Sequence, residues 1–255
     1  MYPSSTRTTL FGIFVLAGRS LTAAQVIALA RPLRISATNV KSHLTRMVAE
    51  GALERTGPKR AALYRPSPDQ GAVIEGIEAS LESDPEEPWN REWIVLALKM
   101  PASRRERDRL RASLWFDGFR PWDGSTFVRP AWPSAWARAR VLRYLDQIPG
   151  LAVHGPLLGD VPVSRLYDLD TLDREARKLA RRIRAKRAPT NSPARAFAAR
   201  LEIGGLVARL IGHEPRLPRA LWGGRNAMSE LFRAFAGFEK RAAHPSRRFL
   251  ETVLG

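Results

Sequence analysis

Apolar residues recur at helical spacing over the first fifty positions and predict three short helices. The first helix is indicated by Leu10, Phe11, Phe14 and Val15. A second helix can begin at a cap on Ser20 or Thr22 and end near Ala30. A third begins after Ser36, a residue type that caps helix N-termini, and continues to Glu50. We therefore expect three consecutive helices before the first strand.

A short hairpin follows these helices. Residues 53–56 and 63–65 have strand character, and the turn-forming pair Gly57-Pro58 follows the first of them. Three short helices and a hairpin predict a winged helix-turn-helix domain over residues 1–82. A further amphipathic helix is expected at residues 72–81. The acidic, proline-containing residues 83–88 then mark a domain boundary.

The middle of the chain alternates between strands and helices. Strands are predicted at residues 93–98, 126–129 and 151–154, and helices at 103–116 and 134–148. A ferredoxin-like α+β arrangement needs one more strand, which we place near residues 118–122. This predicts a central ferredoxin-like α/β domain at residues 89–165. Helical periodicity at 170–187, 194–212 and 226–236 predicts a helical C-terminal domain at residues 166–255.

Charge adds a prediction about partners. The 255 residues include 42 Lys and Arg, mostly Arg, against 25 Asp and Glu, so the formal net charge is +17. Such an excess favours a polyanion such as nucleic acid, because clustered cations release counterions from phosphates. The alternative is that the charges are spread over solvated helix faces. Residues 166–255 carry 19 of the basic and 9 of the acidic side chains, so the excess is greatest outside the predicted winged helix.

Composition limits the function classes. There is no cysteine, which excludes disulfides, thiolate metal sites and a cysteine nucleophile. No apolar stretch approaches the roughly 20 residues needed to span a bilayer, and the N-terminal residues do not resemble a signal peptide. We expect a soluble cytoplasmic protein with no membrane partner.

The third helix carries the main candidate site. Its apolar positions share one face, which we expect to pack on the first two helices. Asn and Arg can make bidentate contacts with adenine and guanine, while Ser, Thr and Lys can contact phosphates. The hairpin tip adds two basic residues that can approach the DNA backbone or the minor groove. The predicted DNA-binding residues are Thr38, Asn39, Lys41, Ser42, Thr45, Arg46, Lys59 and Arg60. An ordinary amphipathic helix beside a polar hairpin remains the alternative.

A second, anion-binding site is predicted in the C-terminal third. Residues 173–187 hold eight basic and two acidic side chains at helical spacing. Arg177, Arg181 and Arg184 of this helix could contact flanking DNA or the phosphates of an effector. Trp222 is expected in the core, with a place in an aromatic effector pocket as its alternative. A solvated basic helix is the alternative for the three arginines.

Several segments together resemble the PaaX-like transcriptional regulators, the phenylacetic-acid-degradation repressor family. The resemblance covers nearly the whole chain in order, and its segments are residues 9–12, 40–51, 64–65, 93–96, 110–111 with 114, 118–119, 127–130, 193–197 and 214–218. It implies a homodimeric repressor of a catabolic operon that leaves a palindromic operator on binding an acyl-coenzyme A such as phenylacetyl-coenzyme A. The central domain then serves dimerisation, and an aromatic small molecule is a further effector candidate.

Two other functions fit parts of the sequence. The ferredoxin-like fold also occurs in a CRISPR-associated nuclease family, whose metal-dependent cleavage requires a carboxylate at the end of the first strand. Here that strand is followed by Lys99, which would repel a metal ion. The other alternative is a nonspecific nucleic-acid-binding protein using the basic helix. No hydrolase elbow, phosphate loop or metal-ligand spacing of histidines is present, so we expect no enzyme, cofactor or metal.

Overall fold

The structure is a computed structural model that describes residues 6–58, 61–68, 70, 88–132, 134–157, 159, 161–186, 191–212, 217–224 and 227–255. The predicted helix at residues 72–81 lies outside these residues, as do Lys59 and Arg60 of the hairpin tip. The described chain combines helices with two antiparallel sheets, which confirms the α+β class.

The chain divides into two compact units. The first contains residues 1–81, 177–209 and 229–255, and the second contains residues 82–176 and 210–228. The sequence predicts three domains, whereas the structure distributes the C-terminal helices between these two units. The first unit is therefore assembled from segments far apart in sequence.

The N-terminal part of the first unit follows the predicted order. Its elements are α1 (Thr6–Ala17), β1 (Leu21–Thr22), α2 (Ala23–Ala30), α3 (Ala37–Ala49), β2 (Leu53–Thr56) and β3 (Leu63–Pro66). The strands form an antiparallel sheet in the order β1-β3-β2. The three predicted helices and the hairpin are confirmed, while β1 was not predicted.

The second unit contains a four-stranded sheet with two helices between its strands. Its elements are β4 (Glu92–Leu98), α4 (Arg104–Phe116), β5 (Arg120–Asp123), β6 (Thr126–Pro130), α5 (Ser134–Gln147) and β7 (Gly150–Pro156). The sheet order is β5-β6-β4-β7, and every neighbouring pair is antiparallel. The extra strand expected near residues 118–122 is confirmed as β5. Ile94, Leu96 and Leu98 of β4 share a buried core with Leu110 and Leu114 of α4.

A polar network is also buried in the second unit. Asp117, 1% exposed, pairs with Arg140 and Arg143 at 3.5 and 2.9 Å and accepts a hydrogen bond from the Tyr144 hydroxyl at 2.7 Å. Burial, followed by the Asp117 charge, raises the pKa of Tyr144. Arg129 is fully buried and donates to backbone carbonyls, including that of Trp132. Burying a charge is costly unless partners compensate it. The partners of Asp117 therefore serve the folding of this unit.

The remaining helices are α6 (Val163–Tyr167), α7 (Leu169–Ala185), α8 (Pro193–Ile211) and α9 (Ala227–Leu254). The sequence predicts the last helix only to residue 236, and this end is wrong because α9 continues through Pro245. Phe197 and Leu201 of α8 and Leu250 of α9 belong to the same buried core as Leu10 and Leu44. The N-terminal helices are thus completed by the C-terminal ones. None of the helices in the described ranges is long and apolar enough to cross a membrane.

Candidate nucleic-acid interface

Helix α3 separates its apolar and polar side chains onto opposite faces. Val40, Leu44 and Met47 are at most 1% exposed and face the core with α1 and α2. The six candidate residues of this helix are all exposed to solvent; they are Thr38, Asn39, Lys41, Ser42, Thr45 and Arg46. The structure therefore presents the predicted polar residues together on one accessible surface, which we call the α3 face.

The start of α3 is fixed by its local sequence. The Ser36 hydroxyl accepts a hydrogen bond from the backbone N–H of Asn39 at 3.3 Å, so it satisfies one of the unpaired amides of the first turn. Before it, Arg34 has φ = 59° and its amide donates to the carbonyl of Arg31 at 2.9 Å. This left-handed residue ends the 3-10 turn Arg31–Leu33 and redirects the chain into α3.

Among the described residues, the side-chain hydrogen bonds of the α3 face stay within its own helix. The Thr45 hydroxyl donates to the Lys41 carbonyl at 3.1 Å. The Arg46 guanidinium donates to the Ser42 hydroxyl at 3.5 Å, one helical turn earlier. Both contacts are exposed and of ordinary helical type, so a ligand can replace them at low cost.

The helix is held in place by contacts at its other end and by its neighbour. Arg7 of α1 pairs with Glu50 at 2.7 Å, next to the last turn of α3. Thr22 and Gln25 form a reciprocal capping box that starts α2. The capping box acts on α2 alone and the exposed Arg7–Glu50 pair contributes little, so the buried residues fix the rotation of α3 about its axis.

The hairpin lies directly after α3 in the chain. Glu54 of β2 is opposite Arg65 of β3, and their side chains pair at 2.7 Å. Arg65 is therefore partly neutralised, although its side chain is 58% exposed. Lys59 and Arg60 fall outside the described residues and keep only their sequence-based prediction.

The predicted effector residues are placed in different surroundings. Arg177, Arg181 and Arg184 are exposed and lie along one side of α7, with Arg184 near Glu230 of α9 at 3.6 Å. Trp222 belongs to the second unit, is only 9% exposed and donates its indole N–H to the Leu217 carbonyl at 3.1 Å. These contacts match the core position expected for Trp222.

The structure also contains a cleft that the sequence did not indicate. This cleft of about 520 Å³ lies within the first unit, between the start of α1, the α2–α3 turn, the end of α7 and one face of α8. Its polar lining includes Lys186, Arg195 and Glu202, and its apolar lining includes Leu33 and Ile35. We call this site the turn cleft. None of the predicted effector residues lines it.

Glu202 is the acidic group of the turn cleft and is held by two cations. It accepts hydrogen bonds from Arg182 at 2.6 Å and from Lys186. Burial acts to raise the pKa of this carboxyl, but Lys186 and Arg182 outweigh it, and the pKa is lowered from its ordinary value. Glu202 is therefore ionised and already compensated at neutral pH.

One spacing in the sequence could have indicated this cleft. Counted from Arg195, the next lining residues of α8 lie three, four and seven positions later, at Ala198, Ala199 and Glu202. This spacing puts all four residues on one face of the helix. Small residues between a cation and an anion leave room on that face. Nothing local, however, shows that α1 and the α2–α3 turn lie opposite it.

Metal-dependent cleavage would require side chains grouped to hold a metal ion. Within the described ranges, no group of three or more His, Asp or Glu side chains could hold a metal ion. Lys99 follows the end of β4 directly. Asp117 is buried and engaged by the arginine pairs described above.

Comparison with known proteins gives a similarity of fold and no function. Among solved structures, the chain is similar to Uncharacterized protein Rv0674 from Mycobacterium tuberculosis, with 20% sequence identity, a TM-score of 0.50 and coverage of 95% of both chains. No protein-family model and no curated protein matches the chain. The similarity spans both units and assigns no activity.

Proposed function

We propose that this protein is a sequence-specific DNA-binding regulator, a repressor whose first unit contains a winged helix-turn-helix. The observation that carries the proposal is the α3 face, where six polar side chains are exposed on a helix whose opposite face is buried. An α-helix with its side chains is about 10–12 Å in diameter, so α3 fits the major groove, which is about 12 Å wide.

The chemistry of the α3 face suits base recognition. Asn39 can donate to and accept from an adenine edge, and Arg46 can donate two hydrogen bonds to guanine. Lys41, Ser42 and Thr45 can contact phosphates and fix the register of the helix. This combination favours sequence-specific binding over purely electrostatic binding, which would not require an Asn.

We infer a role in assembly for the second unit. Its strand order β5-β6-β4-β7, with helices after β4 and β6, is the order expected of a ferredoxin-like domain. We infer that this domain forms a homodimer that places two α3 helices on a palindromic operator. The half-sites would lie about 10 bp apart, or a multiple of this distance.

The release mechanism is a population shift. An effector that binds the DNA-incompetent dimer better than the competent one weakens operator binding by that difference in affinity. The resemblance to PaaX-like regulators supports an acyl-coenzyme A or another aromatic compound as effector. It also supports repression of a catabolic operon.

The proposal is tested by selecting bound duplexes from a random DNA pool with the full chain and measuring affinities by fluorescence anisotropy. We expect one enriched, palindromic sequence, and we expect Arg46→Ala to cost about 1–3 kcal/mol on it with relaxed preference at one base pair. Arg241→Ala, which removes an exposed arginine of α9, is the charge-matched control and should leave binding unchanged.

Two results would contradict the proposal. Equal affinity for the enriched and scrambled duplexes would indicate a nonspecific nucleic-acid-binding protein. Cleavage of DNA or RNA in the presence of a divalent metal would indicate a nuclease. If Arg46→Ala weakens binding equally on every sequence, Arg46 contacts phosphate rather than a base.

A further inference from the structure

The turn cleft has an excess of positive charge. Lys186 and Arg195 line it together with one carboxylate, Glu202. Glu202 is already shared by Lys186 and Arg182, so its charge is compensated. Arg195 is exposed and forms no ion pair with any described residue. Because Lys186 is engaged by Glu202, the charge left over in the cleft is the Arg195 guanidinium, which favours an anion.

The rest of the lining favours an apolar body on that anion. Leu33 and Ile35 project from the α2–α3 turn, and Ala198 and Ala199 provide small apolar surface on α8. The volume of about 520 Å³ lies within the range of small-molecule sites, about 300–1,000 Å³. Such a mixture of apolar walls and a few charged groups is typical of sites that fix the orientation of an organic ligand.

The position of the cleft connects it to the α3 face. Leu33 and Ile35 lie on either side of Arg34, the left-handed residue of the turn, and Ser36 caps α3 immediately afterwards. A ligand that contacts both apolar side chains touches the segment that sets the direction of α3. Occupancy can therefore favour one orientation of the helix over another if the ligand binds the two with different affinity.

We propose that the turn cleft binds a small amphipathic organic anion, with its charged group on Arg195 and its apolar body against Leu33 and Ile35. We propose also that binding reduces the affinity of the α3 face for DNA, a second step that rests on the proposed function. The site differs from the basic face of α7 and from Trp222, because it uses Lys186, Arg195 and the turn.

The binding step is tested with 1-anilinonaphthalene-8-sulfonate, an aromatic sulfonate whose fluorescence rises in apolar sites. With the full chain we expect saturable binding of one probe per chain. Arg195→Ala should raise the Kd at least tenfold, and Ala198→Phe, which fills the cleft, should abolish the saturable signal. Arg241→Ala removes the same charge from α9 outside the cleft and should change the Kd less than twofold. Circular dichroism checks that each variant is folded.

The regulatory step is measured with the DNA sequence selected by the full chain. Saturating probe should weaken binding at least fivefold for the unmodified protein and less than twofold for Arg195→Ala. Equal probe affinity for the unmodified protein, Arg195→Ala and Ala198→Phe would overturn the site. Probe binding in the cleft with unchanged DNA affinity would overturn the regulatory step. If no specific DNA is selected, the proposed function fails, while the probe titration still decides the binding step.

Discussion

Glu202 shows how one side chain combines structural and electrostatic roles. Its carboxylate joins the end of α7 to α8 through Arg182 and Lys186. The lowered pKa of Glu202 means that folding favours its ionised form. The stabilisation is therefore complete above the ordinary pKa of 4.5 and is lost as the pH falls below it. Because the side chain is 40% exposed, solvent screening limits its size.

Glu202→Gln should lower the free energy of unfolding by about 0.5–1 kcal/mol at pH 7, because two cations lose their partner. The difference between variant and unmodified protein should shrink as the pH falls below 4.5. Urea unfolding at pH 7, 5 and 3.5 measures it. A difference that is constant across this range would show that the carboxylate charge does not contribute.

Two glycines in helices, Gly12 and Gly204, differ in how closely a neighbouring helix packs against them. Gly12 of α1 lies against α8, and a Cβ built on it would be 3.0 Å from Cδ2 of Leu201. Gly204, one turn further along α8, has no heavy atom within 4 Å of its Cβ position. Gly12 therefore permits the approach of α1 and α8, while Gly204 only increases the freedom of the unfolded chain.

Gly204→Ala should raise the free energy of unfolding by about 0.5–1 kcal/mol, because alanine is the better helix former and finds open space. Gly12→Ala makes the same chemical change where space is short, so its gain should be smaller or reversed. Chemical denaturation of both variants compares them. Equal gains would mean that Leu201 moves aside without cost.

Helix α9 shows where local pattern is misleading. Proline inside a helix costs about 3 kcal/mol, and Pro245 lies within α9. Beyond it, Ser246 is fully buried and accepts a hydrogen bond from Arg200 at 3.4 Å, and Leu250 enters the core of the first unit. Burial against other elements offsets the local cost. A prediction that ends the helix at residue 236 could not include these distant contacts.

The first unit is built from N-terminal and C-terminal segments of the chain, so its stability depends on both. Phe197 and Leu250 are distant from α1–α3 in sequence but share their core, and the ring of Phe197 lies 5.2 Å from that of Phe249. An isolated N-terminal segment would expose the apolar surface that these residues cover. The α3 face therefore depends on the C-terminal helices for its stability.

A fragment of residues 1–82 should accordingly unfold at a much lower temperature than the full chain, or without a cooperative transition. Circular dichroism melts and the dispersion of NMR amide signals test this expectation. Phe197→Ala in the full chain should destabilise the first unit by about 3–5 kcal/mol, which identifies the missing contact. A fragment that melts cooperatively at the temperature of the full chain would show that the N-terminal segment folds independently.

The sequence by itself determined the elements whose signals are local. Ser36 marked one helix start and the choice of Ser20 or Thr22 another, of which Thr22 is the cap in the structure. The apolar spacing of Val40, Leu44 and Met47 determined which face of α3 is buried, and the turn at Gly57 separated two strands. Caps, turns and periodicity act over a few residues, so a single sequence displays them. The exposed residues of α3 were predictable for the same reason.

Only the tertiary structure decided how distant segments are combined. The turn cleft forms only where α1, the α2–α3 turn, Lys186 and α8 meet. The first and the last of these segments are more than 150 residues apart in the sequence. The spacing of Arg195, Ala198, Ala199 and Glu202 shows only that they share one face of α8, and no local pattern shows that Lys186 and the α2–α3 turn lie opposite that face. Long-range burial of apolar surface selects which segments pack together, and that selection is a property of the whole fold rather than of any short pattern.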